Sequence, residues 1–236
     1  MKNIVMISIS FLVSISIFSQ SRKDIESEWS LYRNNNVKSA ECRHPNYYEK
    51  TSYDSEGKPT SLELYDMSGT KTNMLEFTYD SQNNLVKESG YIYQNGRKEN
   101  DEESSRSHDY DVFGNRIHTW QIEFDIEYIY DSNGLLVESK ENGLDESSKL
   151  TYRYNDKNHS YIVRIENSDG SREIRHYVYD DFERLVETRY HHCTSDWKAK
   201  DLYIIESRSY HDNGLLKTVT SNKEITEEYS YKFYEQ

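Results

Sequence analysis

The feature that most constrains this chain is a short cassette that keeps returning, clearest at Tyr128-Ile129-Tyr130-Asp131-Ser132-Asn133-Gly134-Leu135-Leu136. Related copies centre on Tyr53, Tyr65, Tyr79, Tyr110, Tyr154, Tyr179 and Tyr210. Asp follows the tyrosine at Asp54, Asp66, Asp80, Asp111, Asp131 and Asp180, and Asn155 and His211 replace it in two copies. Gly or Asn stands four residues after the tyrosine at Gly57, Gly69, Asn83, Gly114, Gly134, Asn158 and Gly214, with Glu183 the exception. Leu stands six after it at Leu85, Leu136, Leu185 and Leu216. A unit this small cannot bury its own core, so copies must stack on one another.

Each position has a physical task. Residues two apart on a strand share a face, so Tyr128 and Tyr130 point together. The Asp carboxylate accepts from backbone amides ahead of it and starts a turn. Gly or Asn tolerates the positive φ that tight turns demand. The aliphatic run that follows, such as Leu135-Leu136-Val137, is the return strand. The expected fold is all-β: an antiparallel meander of hairpin repeats in an extended, twisted or partly curled sheet. The array is expected over residues 51–236, after a signal segment at 1–20 and a leader at 21–50. In the leader, Ser21 to Tyr32 is a candidate short helix. Ser21 and Asp24 form a capping pair, Ile25, Trp29 and Tyr32 share a face, and the helix would cover the first edge strand. The stretch from Gln94 to Asp109, with Asp101-Glu102-Glu103 and its serines, reads as an exposed mobile loop.

Ile4 to Phe18 form an apolar run behind Lys2, shorter than the roughly 20 residues of a spanning helix, which is a secretory pattern. The rest is polar. Hydrophobic residues make up 34% of the chain, too few for a thick core, but 22 tyrosines supply broad rings with polar tips. The net charge of −13 disfavours nucleic acid and anionic membranes as partners. No segment after the signal is suited to membrane insertion, and the oligomeric state is left open.

The cassette resembles the YD-repeat, or rearrangement-hotspot, family of bacteria. The resemblance rests on Tyr79-Asp80, Tyr110-Asp111-Val112-Phe113-Gly114-Asn115-Arg116, Tyr130 to Leu136, Tyr179-Asp180 to Leu185, and Tyr210 to Leu216. It implies β-sheets that spiral into a shell, in many relatives around a toxic segment. This chain lacks the Asp-Pro cleavage signature, with prolines only at Pro45 and Pro59, and its repeats run on to Tyr234. It is therefore expected to be a short array without cargo.

No nucleophile elbow, phosphate loop, dinucleotide fingerprint or His-Glu-x-x-His motif occurs, and no catalytic residue or cofactor is assigned. Cys42-x-His44 and His191-His192-Cys193 leave three readings open: unrelated groups, a Cys42–Cys193 disulfide, or a zinc site. Turns such as Asp131-Ser132-Asn133-Gly134 lack the spaced ligands of a calcium loop. The repeat architecture, the lack of catalytic motifs and the aromatic richness favour an exported non-catalytic scaffold that binds a protein or glycan. The alternatives are a partner that neutralises or escorts a toxin, and a carboxylate-dependent hydrolase.

Overall fold

The computed structural model describes residues 22–144, 146–155, 160–182, 184–222 and 224–234. The signal segment, Ser21, Asn158 and Glu183 lie outside these residues. The chain opens with helix α1 (Arg22–Asn34), then β1 (Val37–Arg43), β2 (Tyr47–Tyr53), β3 (Pro59–Asp66), β4 (Lys71–Tyr79) and β5 (Leu85–Gln94). It continues through β6 (Arg97–Tyr110), β7 (Arg116–Gln121), β8 (Phe124–Tyr130), β9 (Leu136–Gly143), β10 (Ser147–Asn155) and β11 (Ser160–Asn167). It ends with β12 (Arg172–Tyr179), β13 (Leu185–Cys193), β14 (Ala199–Tyr210), β15 (Leu216–Ser221) and β16 (Glu224–Phe233). Each strand pairs antiparallel with its sequence neighbours, and β1 pairs with β16, which closes a barrel.

The meander is as expected, but the open sheet is not: Ala40 lies opposite Tyr231 and Cys42 opposite Tyr229, so neither terminal strand keeps a free edge. The cause of curvature recurs with the cassette. In seven copies the tyrosine pairs with the residue six ahead, as Tyr79 with Leu85, Tyr110 with Arg116 and Tyr130 with Leu136, and the next register step skips one residue. The same bulge follows Tyr53, Tyr65, Tyr179 and Tyr210. A bulge bends its strand and increases twist, and its regular repetition coils the sheet until its edges meet.

Six of those seven bulges lie at one rim, where even-numbered strands hand over to odd-numbered ones; Tyr65 lies at the other. The turns there are built alike. Asp111 Oδ1 accepts from the amides of Phe113 (2.8 Å) and Asn115 (2.9 Å), and Asp54, Asp80, Asp131 and Asp180 do the same two and four residues ahead. Where His211 replaces Asp, the backbone turn survives, with Gly214 N donating to His211 O at 2.9 Å. The tyrosines then stitch one hairpin to the one before. Tyr79 donates its hydroxyl to Pro59 O (2.8 Å), Tyr110 to Leu85 O (2.8 Å), Tyr130 to Arg116 O (2.8 Å), Tyr210 to Leu185 O (2.7 Å) and Tyr231 to Leu216 O (2.8 Å). Each acceptor is the residue six after the tyrosine of the preceding cassette at this rim, so the motif's spacing encodes a bond between repeats as well as one within them.

The helix does not cover an edge strand, since none is free. It sits against this rim: Trp29 meets Tyr79 edge-on at 5.6 Å and Tyr32 stacks on Tyr53 at 4.3 Å. Gly57 makes that approach possible, because its φ is +81° and a Cβ there would stand 2.1 Å from Trp29 O. The expected loop from Gln94 to Asp109 is instead mostly β6. Its acidic and serine stretch forms a wide bulge between Asp101, opposite Gly90, and Arg106, opposite Glu88. Ser105 Oγ seals that bulge by accepting from Gly90 N at 2.9 Å.

Register separates the two faces of the wall. The inner face carries Leu62, Leu64, Leu75, Leu136, Leu150, Tyr152, Val163, Ile165, Tyr177 and Val219, all buried. Exposed Lys38, Arg43, Lys87, Glu127, Lys140, Lys149, Arg153, Arg189, Glu228 and Lys232 point outward. Of the fifteen exposed large apolar residues among those described, seven (Val112, Phe113, Ile117, Trp120, Ile122, Ile129 and Leu135) lie between β6 and β9, and the other eight are spread over the rest of the chain.

Candidate functional site

The sequence-derived metal and disulfide readings need Cys42 and Cys193 together, and the fold keeps them apart. Both are free thiols, on β1 and β13, with β16, β15 and β14 between them. Four strand steps of about 4.8 Å make roughly 19 Å along the wall, against a Cα separation of about 7 Å at most for a disulfide. His191 and His192 remain with Cys193 on β13. Among the described residues no group of three or more His, Cys, Asp or Glu side chains is placed to hold a metal ion.

Cys42 and His44 join a different set. Register places Cys42 between Tyr229 of β16 and Glu49 of β2. Two residues along the same inner face, the His44–Tyr47 hairpin step continues the row, with Glu227 two residues before Tyr229. The result is a two-by-three grid on the inner wall, Tyr229-Cys42-Glu49 above Glu227-His44-Tyr47, at the seam where the barrel closes.

The contacts within the grid are short. Cys42 Sγ lies 3.4 Å from His44 Nε2, and the His44 ring stacks on Tyr47 at 4.2 Å. Tyr229 donates its hydroxyl to Glu227 Oε2 at 3.2 Å. The Glu49 side chain is 5% exposed and receives no hydrogen bond from any described residue; its nearest cationic candidate is His44 Nε2, at 3.9 Å.

Burial sets the protonation of every member. It raises the Cys42 thiol far above its ordinary range and lowers the His44 imidazole, so at neutral pH a protonated thiol lies beside a neutral His44. It pushes the carboxyl of Glu49 up to about 7 and that of Glu227 up to about 8, where the neighbouring Glu206 and Glu49 charges add to the effect. A thiol held protonated beside a neutral imidazole is the reverse of an activated nucleophile. The grid stores protons and presents two under-compensated acids.

A second polar chain crosses the inner wall from β5 to β8. Glu88 Oε1 lies 2.9 Å from His108 Nε2, Thr119 Oγ1 lies 2.9 Å from His108 Nδ1, and the Tyr128 hydroxyl lies 3.5 Å from Thr119. Burial lowers the His108 imidazole, while the His108 bond and nearby Arg106 and Arg116 outweigh burial and keep Glu88 ionised. Neutral His108 therefore donates from Nε2 and accepts from Thr119. This network satisfies itself, whereas the grid does not.

The repeat residues singled out in the sequence, Tyr79-Asp80, Tyr110-Asp111, Gly114, Tyr130-Asp131, Gly134, Leu136, Tyr179-Asp180, Leu185, Tyr210, Gly214 and Leu216, all lie at the cassette rim, away from the His44 hairpin. Glu49 and Glu227 were anonymous among 42 acids. A signal for them exists: Glu49 shares strand parity with Tyr47 and Tyr53, and Glu227 with Tyr229 and Tyr231. A charge on the tyrosine face of a strand is an inward charge.

No family model matches the chain, and no curated protein matches it. Among solved structures it is similar to a porin-like protein from Bacteroides uniformis, at 10% identity and a TM-score of 0.43, over 83% of this chain and 98% of that one. It also shows likeness to TcdB2-TccC3-TEV, at 9% identity and a TM-score of 0.25, over 78% of this chain and 14% of that one. A Bacteroides fragilis protein of unknown function shows 14% identity and a TM-score of 0.20, over 72% and 94% of the two chains. At these values the likenesses carry no argument about activity or location.

Proposed function

We propose that this chain is an exported, non-catalytic binding barrel that stays in water and holds part of a protein or glycan ligand against its inner wall. The observation that carries the reading is the polarity of the two faces. A barrel that crosses a bilayer turns an apolar band of about 25 Å toward lipid and keeps its interior polar. Here lysines, arginines and glutamates face outward, while the inner face is mainly tyrosine, leucine, valine and isoleucine interrupted by buried polar groups such as Glu49, Glu88 and His108. Outward Lys140 and Lys149, paired across β9 and β10, would each be costly at a bilayer midplane.

Ring number supports binding inside. Eight strands enclose a space that side chains fill, and larger barrels enclose cavities or channels. Sixteen strands with aromatic inner faces suit a ligand with both apolar and polar parts. The apolar run from Ile4 to Phe18 supports export. The protonated Cys42 and neutral His44 support a role without nucleophilic chemistry.

The test is purification of the chain from Ser21 onward without detergent, followed by its addition to planar bilayers and to envelope extract. A monodisperse barrel that conducts no current and retains one saturable protein or glycan is the expected result. A requirement for detergent, or stepwise conductance, would overturn the reading.

A further inference from the structure

We infer that the seam grid is a binding site for an organic ammonium group, with Glu49 and Glu227 supplying the charge and the Tyr47 and Tyr229 rings flanking it. The inference rests on the binding-barrel reading above and names the chemistry of part of its ligand.

Four observations converge. Glu49 is 95% buried by side chain, has no hydrogen bond from any described residue, and points into the grid beside a neutral His44. Its acceptor sites are open to a donor. Glu227 stands at the opposite corner and spends one acceptor site on Tyr229. Buried Glu49 and part-buried Glu227 are costly to ionise, and burial holds both toward their protonated forms, although Arg208 acts in the opposite sense on Glu227. An ammonium ion placed between them supplies the missing charge and three donors.

Aromatic rings fit the same occupant. An ammonium is attracted to tyrosine faces when desolvated, and the grid places a tyrosine at each corner not held by a glutamate. A divalent metal suits the site less well, because the grid offers no arrangement of three or more ligating side chains. The other inward ionisable groups near the seam are Glu206 and Arg208 on β14. Arg208 is already engaged, donating to Thr188 Oγ1 at 2.9 Å and to Glu206 Oε2 at 3.2 Å. It lowers the Glu227 carboxyl by less than burial raises it and donates no hydrogen bond to either seam acid.

An ammonium could arrive on a lysine side chain or on an amino sugar, and the experiment separates them. Isothermal titration at pH 8.5 would compare n-butylammonium with n-butanol, N-acetyl-lysine amide with N-acetyl-norleucine amide, and glucosamine with N-acetylglucosamine. The expected result is saturable binding of the charged member of a pair, weakened about tenfold or more by Glu49→Gln. Acidification from pH 8.5 to 6 should also weaken it, since protons then compete for both carboxyls. The lysine or glucosamine pair showing the larger preference identifies the source.

Equal binding of charged and neutral members, or binding indifferent to both Glu49→Gln and Glu227→Gln, overturns the inference. If Glu49→Gln fails to form the barrel by circular dichroism, Glu227→Gln and the pH series on the unaltered chain decide. A soluble, non-conducting barrel that ignores every ammonium probe overturns this site alone. A conducting barrel overturns the reading beneath it.

Discussion

The two rims of this barrel are built on different rules. At the cassette rim nearly every turn repeats one design: an Asp that gathers two backbone amides, a residue with positive φ, a bulge, and a tyrosine bonded to the hairpin before. At the opposite rim the Asp66 turn repeats the Asp, the positive φ and the bulge, but Tyr65 makes no bond to the hairpin before. The Thr194–Lys198 turn keeps the backbone geometry, with Thr194 in the place of the Asp, Trp197 at a positive φ of 62° and Cys193 paired with Ala199 six ahead, whereas the Pro45-Asn46 step does not. Repetition secures curvature at one end, and freedom from repetition lets the other end carry an individual site. The seam grid, set by the His44 hairpin, belongs to the free end.

That contrast is sharpest in pH dependence, where the largest effect is expected. Glu49 and Glu227 have folded values near 7 and 8 against an ordinary 4.5. Between about pH 4.5 and 8 the folded barrel holds protons that the unfolded chain has released, so the grid's contribution is full below pH 4.5 and declines as pH rises. The decline should be on the order of 3 kcal/mol after allowance for the partial exposure of Glu227. Urea denaturation from pH 4 to 9 should show it, and Glu49→Gln with Glu227→Gln should remove it. The cassette-rim acid Asp180 has the opposite sign. Burial raises its carboxyl, but the Arg184 side chain and the Arg184 and Phe182 amides outweigh that and lower it, so its contribution is present above the ordinary carboxylate value and lost in acid. A stability profile that rises steadily from pH 4 to 9 would show that the grid's acids are ionised.

The next effect separates two glycines that share a turn design. Gly57→Ala meets both a positive φ and the Trp29 carbonyl, and should cost about 2–4 kcal/mol while releasing the helix from the rim. Gly134→Ala has the same φ problem with no atom within 4 Å of the added carbon, and should cost about 1–2 kcal/mol. Equal losses by chemical denaturation would mean that the helix does not press on the turn. Asp111→Ala comes next. It removes acceptors for the Phe113 and Asn115 amides and for Asn115 Nδ2, an expected loss of about 2 kcal/mol.

How far this was legible in the sequence follows the same division. The tyrosine-to-plus-six pairing of Tyr130 with Leu136 and the Asp turn beside it could be read directly, because local chemistry fixes them. Closure could not. It depends on pairing Val37–Arg43 with Glu228–Phe233, far apart in sequence and outside the Tyr-Asp pattern. The bulge residue, such as Val137 or Thr60, carries no composition of its own, so curvature was invisible although its repeat was not. β6 was misread because exposed acids and serines resemble a loop when the strand that pairs with them is unknown. Cys42 and His44 attracted notice by residue type, but their partners Glu49 and Glu227 were supplied by the fold.

The smallest effect tests the stitch between repeats. Tyr110 Oη donates to Leu85 O at 2.8 Å and lies 3.3 Å from Arg116 Nε, so Tyr110→Phe leaves a carbonyl and a guanidinium less satisfied inside the wall. A loss of about 1 kcal/mol is expected. Tyr65 has the same place in its cassette but lies at the other rim, and its hydroxyl donates to Glu63 of its own strand at 2.9 Å. Glu63 keeps Lys71 as a partner when that hydroxyl is gone, so Tyr65→Phe should cost clearly less. Hydrogen exchange adds a readout that a general loss of stability would not reproduce. Tyr110→Phe should loosen the β4–β5 hairpin, which supplies the acceptor, along with its own, whereas Tyr65→Phe should disturb only its own turn. If both variants loosen only their own hairpins, the tyrosines fill space at the rim and the bond between repeats carries no weight.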